Sequence, residues 1–184
     1  MLHSRLDEIA LKRKINIRTF PDLYNDVQIG EVRIRLLHPT REFLGRKLKN
    51  DLNQVSLVLE LSYGETRVIL PGDIGQGVEK LIIPNLEGGM RTLLVAAHHG
   101  SRYSSGEEFL DALRPQAIAF SCGYDNQFGF PAPEVLARCG ERNIPMYRTD
   151  INGAVHAVSD GVKWTITTEP ERNINTEKDG KYHN

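Results

Sequence analysis

The sequence predicts an α/β fold, in which a mixed β-sheet is packed with helices. Two observations lead to this prediction. Residues 29–70 contain strand patterns separated by short turns, which indicates that antiparallel strands come first. After Asp73, helix and strand patterns alternate, as they do in α/β layer structures. The chain of 184 residues is long enough to bury the core of one such domain.

Composition and charge exclude several classes of protein. There are 23 Lys and Arg residues against 24 Asp and Glu, so the chain has no overall basic field for a polyanion, although a local patch is compatible with these numbers. No apolar run is long enough to span a bilayer, and residues 1–14 lack the apolar core of a signal peptide. We therefore expect no membrane segment in this chain and, if it is expressed as it stands, a cytoplasmic location.

The first half of the chain is predicted to contain one helix, one long loop and three strands. The helix has apolar residues near one face, at Leu2, Leu6, Ile9 and Leu11. The three strands either alternate apolar and polar residues or consist mostly of apolar residues. The last two are joined by a tight turn at Tyr63-Gly64-Glu65. The elements are a helix at 1–14, a strand at Ile29–Leu37, a loop at 38–53, and a hairpin of Val55–Ser62 with Thr66–Leu70.

The second half is predicted to alternate helices and strands and to end in a hairpin about Asp160-Gly161. Ser104 or Ser105, with a glutamate three residues later, predicts a capping box for the middle helix. The elements are a helix near Gly77–Ile83, a strand at Thr92–Ala97, a helix at Glu107–Leu113, a strand at Ala117–Ser121, a helix at Pro133–Glu141, a strand at 144–149 and a hairpin at 153–168. The domain is thus predicted at 1–168, followed by a polar, disordered tail at 169–184.

Polar side chains follow two successive apolar strands of the predicted sheet. Asp73 ends "VILPGD", and His98-His99 ends the next strand in "AAHHGSRYSS". Functional groups gather at the carboxyl ends of strands in open α/β sheets, so these three side chains are expected at one edge. Aspartate and neutral histidine are ordinary ligands for zinc or another divalent metal. Gly100 would let the chain turn sharply, and Ser101, Ser104 and Ser105 could act as supporting or substrate donors.

Simpler interpretations stand beside the metal site. Asp73 could cap the following helix, and the histidines could merely end a strand. The segment Gly72–Gly77, "GDIGQG", resembles a phosphate-binding loop only in position, since it lacks the required order of glycines, and a flexible turn is the better interpretation. Asn126 lies just past a strand end near the predicted site, but asparagine is also a common turn residue.

The remaining candidates are interpreted as structural. Arg148, Asp150 and Asn152 follow a strand, where Asn152-Gly153 alone would explain a turn. Cys122 and Cys139 fit no metal or redox spacing, so both are expected to be small buried residues, with a disulfide between them left open. Four further histidines are expected to be structural or exposed to solvent: His3, His38, His156 and His183.

Four segments of the chain carry a resemblance to a known family. They are "NQVSLVLELSYGETRVILPGDI", "AAHHGSRYSS", "FSCGYDNQFGFPAPEVL" and "YRTDINGAV". Their order resembles that in the metallo-β-lactamase-fold domain of ComEC/Rec2-type DNA-internalisation competence proteins, over about residues 20–165. The resemblance implies an αββα sandwich that holds one or two metal ions, usually zinc, which activate water for hydrolysis. This chain would be its C-terminal half.

The resemblance also implies roles for individual residues. Asp73 matches the metal-ligating aspartate of the family. His98 and His99 match the histidine box, which supplies a metal ligand or a catalytic proton donor. Three residues match positions around the active-site pocket: Ser101, Ser105 and Asn126.

Two departures from the family pattern shape the functional prediction. The family's main ligand motif, His-x-His-x-Asp-His, is not found in this sequence, and Phe130 stands where relatives often carry a histidine. We therefore expect part of a metal-dependent hydrolase of the DNA-uptake type, inactive alone, whose further ligands come from a missing N-terminal half. The alternative is a degenerate, non-catalytic binding or assembly module. Such a half-sandwich would expose an apolar sheet face and pair with itself or with the missing half.

Overall fold

A mixed seven-stranded sheet forms the centre of the molecule in the computed structural model, which describes residues 2–15, 17, 24–45 and 51–169. The strands of this sheet lie in chain order, antiparallel from β1 to β4 and parallel from β4 to β7. A separate antiparallel pair, β8 and β9, follows. The strands are β1 (Val27–Ile29), β2 (Val32–His38), β3 (Val58–Tyr63), β4 (Thr66–Leu70), β5 (Arg91–Val95), β6 (Ala117–Phe120), β7 (Met146–Arg148), β8 (Val155–Ser159) and β9 (Trp164–Thr168).

Helices connect the parallel strands, so the α/β prediction is confirmed. The α-helices are α1 (Leu2–Lys12), α2 (Arg41–Leu44), α3 (Gln76–Ile82), α4 (Glu107–Leu113), α5 (Pro133–Glu141) and α6 (Thr149–Asn152). Short 3-10 helices occupy Leu52–Val55, Ile83–Asn85 and Ala97–Gly100. Within the described part of the chain, no helix combines the length and apolar character needed to cross a bilayer. The αββα sandwich itself stays a prediction.

The predicted bounds were wrong in the antiparallel half. The single strand expected at Ile29–Leu37 is a hairpin of β1 and β2, because Gly30 takes a positive φ of 59° that permits a tight turn. The loop expected at 38–53 contains structure: His38 belongs to β2, and the Thr40 hydroxyl accepts a hydrogen bond from the Phe43 amide to start α2. Residues 46–50 of that loop lie outside the described residues, as does the predicted tail from residue 170 onward.

Two helix predictions also need correction. The first helix forms, but Leu6, Ile9 and Leu11 on its predicted apolar face are exposed, and Ala10 is the buried residue. The predicted capping box of α4 is absent: its N-cap is Gly106, which makes no side-chain cap. The serines before it are buried, and the Gly106 amide donates instead to the carboxylate of Glu79, a buried residue of α3.

One face of the sheet, here called the helix face, is buried over its central strands by α3, α4 and α5. Its apolar residues show no exposed surface: Val58, Ile69, Leu94, Ile118 and Phe120. The same face holds buried charge, since the Arg67 guanidinium donates to the carboxylate of Glu60 at 3.1 Å and to the hydroxyl of Thr92 at 2.8 Å. Arg35 pairs with the other oxygen of Glu60 at 2.9 Å. Each buried charge on this face therefore has a partner of opposite sign.

The opposite face, here called the open face, is covered only in part. The β8–β9 hairpin lies across the amino ends of β4 and β5, where Trp164 donates to the Arg91 carbonyl at 2.8 Å and the Thr66 and Ser159 hydroxyls meet at 2.6 Å. Beyond the hairpin, apolar side chains stay partly exposed: Leu59, Leu61, Val68, Leu70, Val95 and Ala119. The molecule thus presents an apolar strip on one side of its central sheet.

Candidate functional site

Three loops meet at the carboxyl ends of β4, β5 and β6. Backbone hydrogen bonds tie them together: the His98 amide donates to the Gly72 carbonyl at 2.9 Å, and the Ala132 amide donates to the Gly100 carbonyl at 2.8 Å. The Gln76 amide also donates to the Tyr103 carbonyl at 2.9 Å. The segments that the sequence singled out at 71–75, 96–106 and 121–132 therefore form one continuous surface, here called the carboxyl edge.

Asp73 and His99 come together at this edge. The Oδ1 atom of Asp73 and the Nε2 atom of His99 are 3.9 Å apart, and both side chains are about half exposed. Two ligand atoms that each lie about 2.0–2.2 Å from one zinc ion can be this far apart, so one ion can reach both. The alternative role for Asp73, as a cap for α3, is not seen, because the N-cap of that helix is Gly75 without a side-chain hydrogen bond.

The ring of His99 is oriented by a backbone carbonyl. Its Nδ1 atom lies 2.7 Å from the Ser121 carbonyl oxygen. A carbonyl oxygen only accepts, so Nδ1 carries the hydrogen, and in the neutral ring Nε2 is left with a lone pair directed towards Asp73. Metal-binding histidines are commonly held by such a hydrogen bond from the second ring nitrogen. The chain therefore presents two electron-pair donors, a carboxylate and an imidazole nitrogen, to the same point.

His98 faces in another direction. Its ring meets Phe130 edge-on, with centroids 5.7 Å apart. The two histidines and Gly100 all take positive φ values, of 50°, 56° and 88°, so the chain reverses sharply here. A Cβ atom at Gly100 would lie 2.8 Å from Pro131 and 2.9 Å from Phe120, so only glycine fits. This turn separates the two imidazoles, and His99 alone approaches Asp73 within the salt-bridge distance.

The predicted pocket serines are buried. The Ser104 hydroxyl donates to the carbonyls of Ala97 and Ser101 at 2.7 and 2.8 Å and so closes the loop on itself. Ser101 accepts a long hydrogen bond from the Tyr103 amide at 3.4 Å. The Ser105 hydroxyl is buried and has no hydrogen-bond partner among the described residues. Ser101 and Ser104 therefore shape the loop that carries the histidines, and the binding roles of Ser101 and Ser105 stay predictions.

Asn126 organises the neighbouring loop. Its side-chain amide donates to the carbonyls of Gly123 and Phe130 at 3.0 and 2.7 Å, and its oxygen accepts from the Phe130 amide at 2.9 Å. These three hydrogen bonds cross-link a turn of eight residues. The turn interpretation of Asn126 thus has direct geometric support, and its role in the pocket stays a prediction.

Sequence reasoning missed two residues that hold the histidine loop from behind. The buried Glu79 carboxylate, on α3, accepts the amides of Ser105 and Gly106 at 2.5 and 2.8 Å. Arg138, on α5, donates to the carbonyls of Arg102, Ser104 and Ser105 at 2.8–3.0 Å. The only sequence signal for Glu79 was its place beside the apolar positions of a predicted helix.

Burial changes the ionisation of Glu79. Loss of solvent raises the pKa of this carboxyl above its ordinary value, and the two amide hydrogen bonds and the charge of Arg138 oppose that rise. A cavity of about 440 Å³ lies beside it, between α3, α4 and α5. Glu79 therefore ties the two residues that precede α4 to α3, at the electrostatic cost of burying a carboxylate.

The other polar candidates near the strand ends are structural. Asn152 accepts the Arg148 amide at 2.9 Å, and Arg148 pairs with Asp150. The Cys122 thiol donates to Asp150 at 3.2 Å, and burial followed by this hydrogen bond raises its pKa to about 11. Cys122 is only partly buried, contrary to expectation, whereas Cys139 is fully buried, and both thiols are free, so no disulfide forms.

Two histidines outside the site, His38 and His156, are structural or exposed, as the sequence predicts. His38 is buried and its Nε2 atom lies 2.7 Å from the Gln54 carbonyl. His156 is exposed on β8, 3.6 Å from Glu169. His183 and the side chain of His3 fall outside the described residues.

Among the described residues, the donor set for a metal is incomplete. Asp73 and His99 supply two groups, whereas a catalytic zinc takes three protein ligands and a structural zinc takes four. Across the described ranges, no group of three or more His, Cys, Asp or Glu side chains is arranged to hold a metal ion. The described residues therefore do not complete a metal site by themselves.

Comparison with known proteins finds relatives in one functional class. The chain is 32% identical over 132 residues to ComE operon protein 3 of Bacillus subtilis, which is 70% of this chain and 16% of that protein. It is 33% identical over 106 residues to competence protein ComA of Neisseria gonorrhoeae, which is 57% of this chain and 15% of that protein. Recombination protein 2 of Haemophilus influenzae is 30% identical over 103 residues, or 56% of this chain and 13% of that protein.

These relatives support the resemblance to ComEC/Rec2-type competence proteins. No family model matches the chain. The chain spans about a sixth or less of the length of each of these curated relatives. The metallo-β-lactamase assignment, which came from the order of the sequence segments, stays a prediction.

Proposed function

We propose that this chain acts in DNA uptake as part of a ComEC/Rec2-type protein and forms one wall of a metal-dependent phosphodiesterase site. The observation that carries the proposal is the pairing of Asp73 with His99, whose electron-pair donors face each other at 3.9 Å. The competence relatives support the biological setting. DNA is accordingly the substrate of the proposed site.

The electrostatics of this pair favour a bound cation. A carboxylate oxygen and an imidazole lone pair repel each other unless a proton or a metal ion lies between them. The Ser121 carbonyl keeps the hydrogen of His99 on Nδ1, at 2.7 Å, so the Nε2 position stays available. Zinc or another divalent ion is the group that suits one carboxylate and one imidazole.

The remaining ligands of the proposed site come from outside the described residues. His98 faces Phe130, and Ser101 and Ser105 are buried, so none of them adds a third ligand beside Asp73 and His99. We infer that a second half of the fold supplies the missing ligands and covers the open face. The present chain alone then binds zinc weakly and hydrolyses no DNA.

The proposal can be tested by reconstitution. Hydrolysis of a DNA phosphodiester is measured with the purified chain, alone and mixed with or fused to a polypeptide that carries the family's His-x-His-x-Asp-His half. Activity is expected only in the combined sample with a divalent metal. Asp73→Asn and His99→Gln should abolish it, whereas Asp7→Asn and His156→Gln, matched changes at exposed positions outside the carboxyl edge, should leave it unchanged.

Two outcomes would contradict the proposal in different ways. Activity of the isolated chain that disappears in Asp73→Ala would show that the site is already complete and that a ligand has been missed. A combined protein that folds and binds metal but cleaves no DNA would exclude the hydrolase.

A second candidate function is a non-catalytic assembly module, and the open face favours it. The partly exposed Leu61 and Val68 lie side by side on that face, in register across β3 and β4. In this case the chain pairs through the open face whether or not a metal is present. Sedimentation analysis with and without chelator, on the wild type and on Val68→Glu, separates the two functions, because assembly that needs neither Asp73 nor metal supports the module.

A further inference from the structure

We propose that Phe128 is a stacking platform for the bases of single-stranded nucleic acid, on the same carboxyl edge as Asp73 and His99. The proposal deepens the proposed function, because it specifies the strand state of the ligand. It concerns binding and does not require hydrolysis or metal.

The rings of Phe128, Phe130 and His98 form a continuous row of aromatic contacts, here called the aromatic step, between this loop and the histidine loop. Phe128 and Phe130 stack with centroids 5.6 Å apart and planes inclined by 19°. Phe130 in turn meets the ring of His98 edge-on. Phe128 is the outer ring of this step and is 68% exposed. Its inner side is occupied by Phe130, so a flat ring added on its outer side would continue the stack.

The exposed ring sits on an ordered loop. Asn126 makes three hydrogen bonds across the loop, two of them to the backbone of Phe130, at 2.7 and 2.9 Å. The Ala132 amide fastens the end of the loop to Gly100. A platform held in this way loses little conformational freedom when a ligand binds, which preserves affinity.

The surroundings favour an unpaired nucleic-acid strand over a duplex. Two further aromatic residues on the carboxyl edge are largely exposed, Tyr103 on the histidine loop and Tyr124 on the Phe128 loop. The chain has a net charge of −1 and the exposed Arg102 on this edge is paired with Glu134 at 3.5 Å, so stacking is expected to contribute more to binding here than contacts to phosphates. Stacking requires bases whose flat faces are accessible, and single strands offer them in any sequence.

The test uses the full chain and a fluorescein-labelled oligothymidylate of about a dozen nucleotides, a length that spans one typical single-strand site. Chelator is present, so neither metal nor cleavage contributes. Fluorescence anisotropy should show binding of the single strand that exceeds binding of a duplex of equal length. Phe128→Ala should weaken it by about 5- to 100-fold, the range for loss of one base stack.

Conservative and remote variants sharpen the result. Phe128→Tyr keeps a flat ring and should retain affinity, and Val158→Ala, at an exposed residue of β8, should have no effect. Phe128→Trp should also bind, and its indole fluorescence should be quenched by the oligonucleotide more than that of Trp164 alone in the wild type. Such quenching reports ring-to-base contact and is not produced by a change in folding.

Three results would overturn the proposal: no measurable binding by the wild type, equal binding by Phe128→Ala, or preference for the duplex. Loss of self-association in Phe128→Ala without loss of oligonucleotide binding would assign the ring to a protein contact instead. Failure of DNA hydrolysis in the reconstituted site would leave these binding results unchanged, so the two proposals fail separately.

Discussion

The two faces of the seven-stranded sheet are built from the same strands but are covered differently. On the helix face, Ile69, Leu94 and Ile118 have no exposed surface, and the charges of Glu60 and Arg67 are buried among them. On the open face, the neighbouring residues Val68 and Ala119 are partly exposed. Side chains alternate along each strand, so two consecutive residues lie on opposite faces. A residue on the buried helix face is therefore followed directly by one on the open face.

Because of this difference, we expect the helix face to stabilise the fold and the open face to be available for contact with a partner. The helix face is closed by the chain's own helices, and the buried charges of Glu60 and Arg67 are paired with each other. The open face is closed by the β8–β9 hairpin at one end only. Substitutions on the helix face should therefore reduce the free energy of unfolding, whereas those on the open face should act mainly on association.

The largest effect is expected from breaking the buried ion pair of the helix face. Arg67→Met leaves Glu60 with only Arg35 as a charged partner, and removing one member of a buried pair costs about 3–5 kcal/mol. Urea unfolding measures the change. Arg33→Met is the control: its pairs with Asp26 and Glu87 are exposed, so it should cost about 1 kcal/mol or less. Equal costs for the two variants would contradict the assignment of the pair to the core.

Apolar truncation should separate the two faces directly. Leu94→Ala removes a fully buried side chain under the helices and should cost about 2–5 kcal/mol. Leu61→Ala makes the same chemical change on the partly exposed open face and should cost about 1 kcal/mol, because less surface is removed from water. If Leu61→Ala proved as costly as Leu94→Ala in the isolated chain, the open face would already be covered in solution.

A smaller loss of stability is expected from removing the Glu79 carboxylate, which joins α3 to the residues that precede α4. Glu79→Ala leaves the amides of Ser105 and Gly106 without their acceptor, which costs about 1–3 kcal/mol for an unsatisfied buried group. Glu108→Ala, an exposed glutamate paired with Lys80, serves as the control and should change the unfolding midpoint little. Amide hydrogen exchange should be faster at residues 98–106 in Glu79→Ala only, and unchanged exchange would argue against a role for Glu79 in holding the histidine loop.

The smallest effect is a pH dependence carried by the same carboxyl. Burial raises the pKa of Glu79 above its ordinary value of 4.5, so the folded chain binds its proton more tightly than the unfolded chain. Its contribution to stability therefore falls as pH rises from 4.5 through the raised pKa and is constant above it. The difference between unfolding free energies of the wild type and Glu79→Gln should show this slope. A difference that rises with pH in that window would mean that the amide hydrogen bonds and Arg138 outweigh burial.

Local pattern predicted most of the secondary structure. Apolar runs located β3 to β6, and Pro133 marked the start of α5, because these signals depend on residues close together in the chain. The short helix α2 was missed, since one threonine cap and one buried phenylalanine give little pattern over four residues. The capping box failed for a different reason: a buried carboxylate from α3 accepts the amides of Ser105 and Gly106, and the N-cap of α4 is Gly106, which has no side chain to form the cap.

The sequence by itself determined that Asp73 and the two histidines lie at one edge of the sheet, because parallel strands in an α/β fold end on the same side. Only the tertiary structure decided which histidine faces the aspartate: the left-handed turn at His98–Gly100 directs His99 to Asp73 and His98 to Phe130. It also decided that Glu79 and Arg138, which are 26 or more residues from the backbone groups they bind, hold residues 102–106 of the histidine loop. Such contacts depend on how helices dock on the sheet, and no local pattern of residues encodes them.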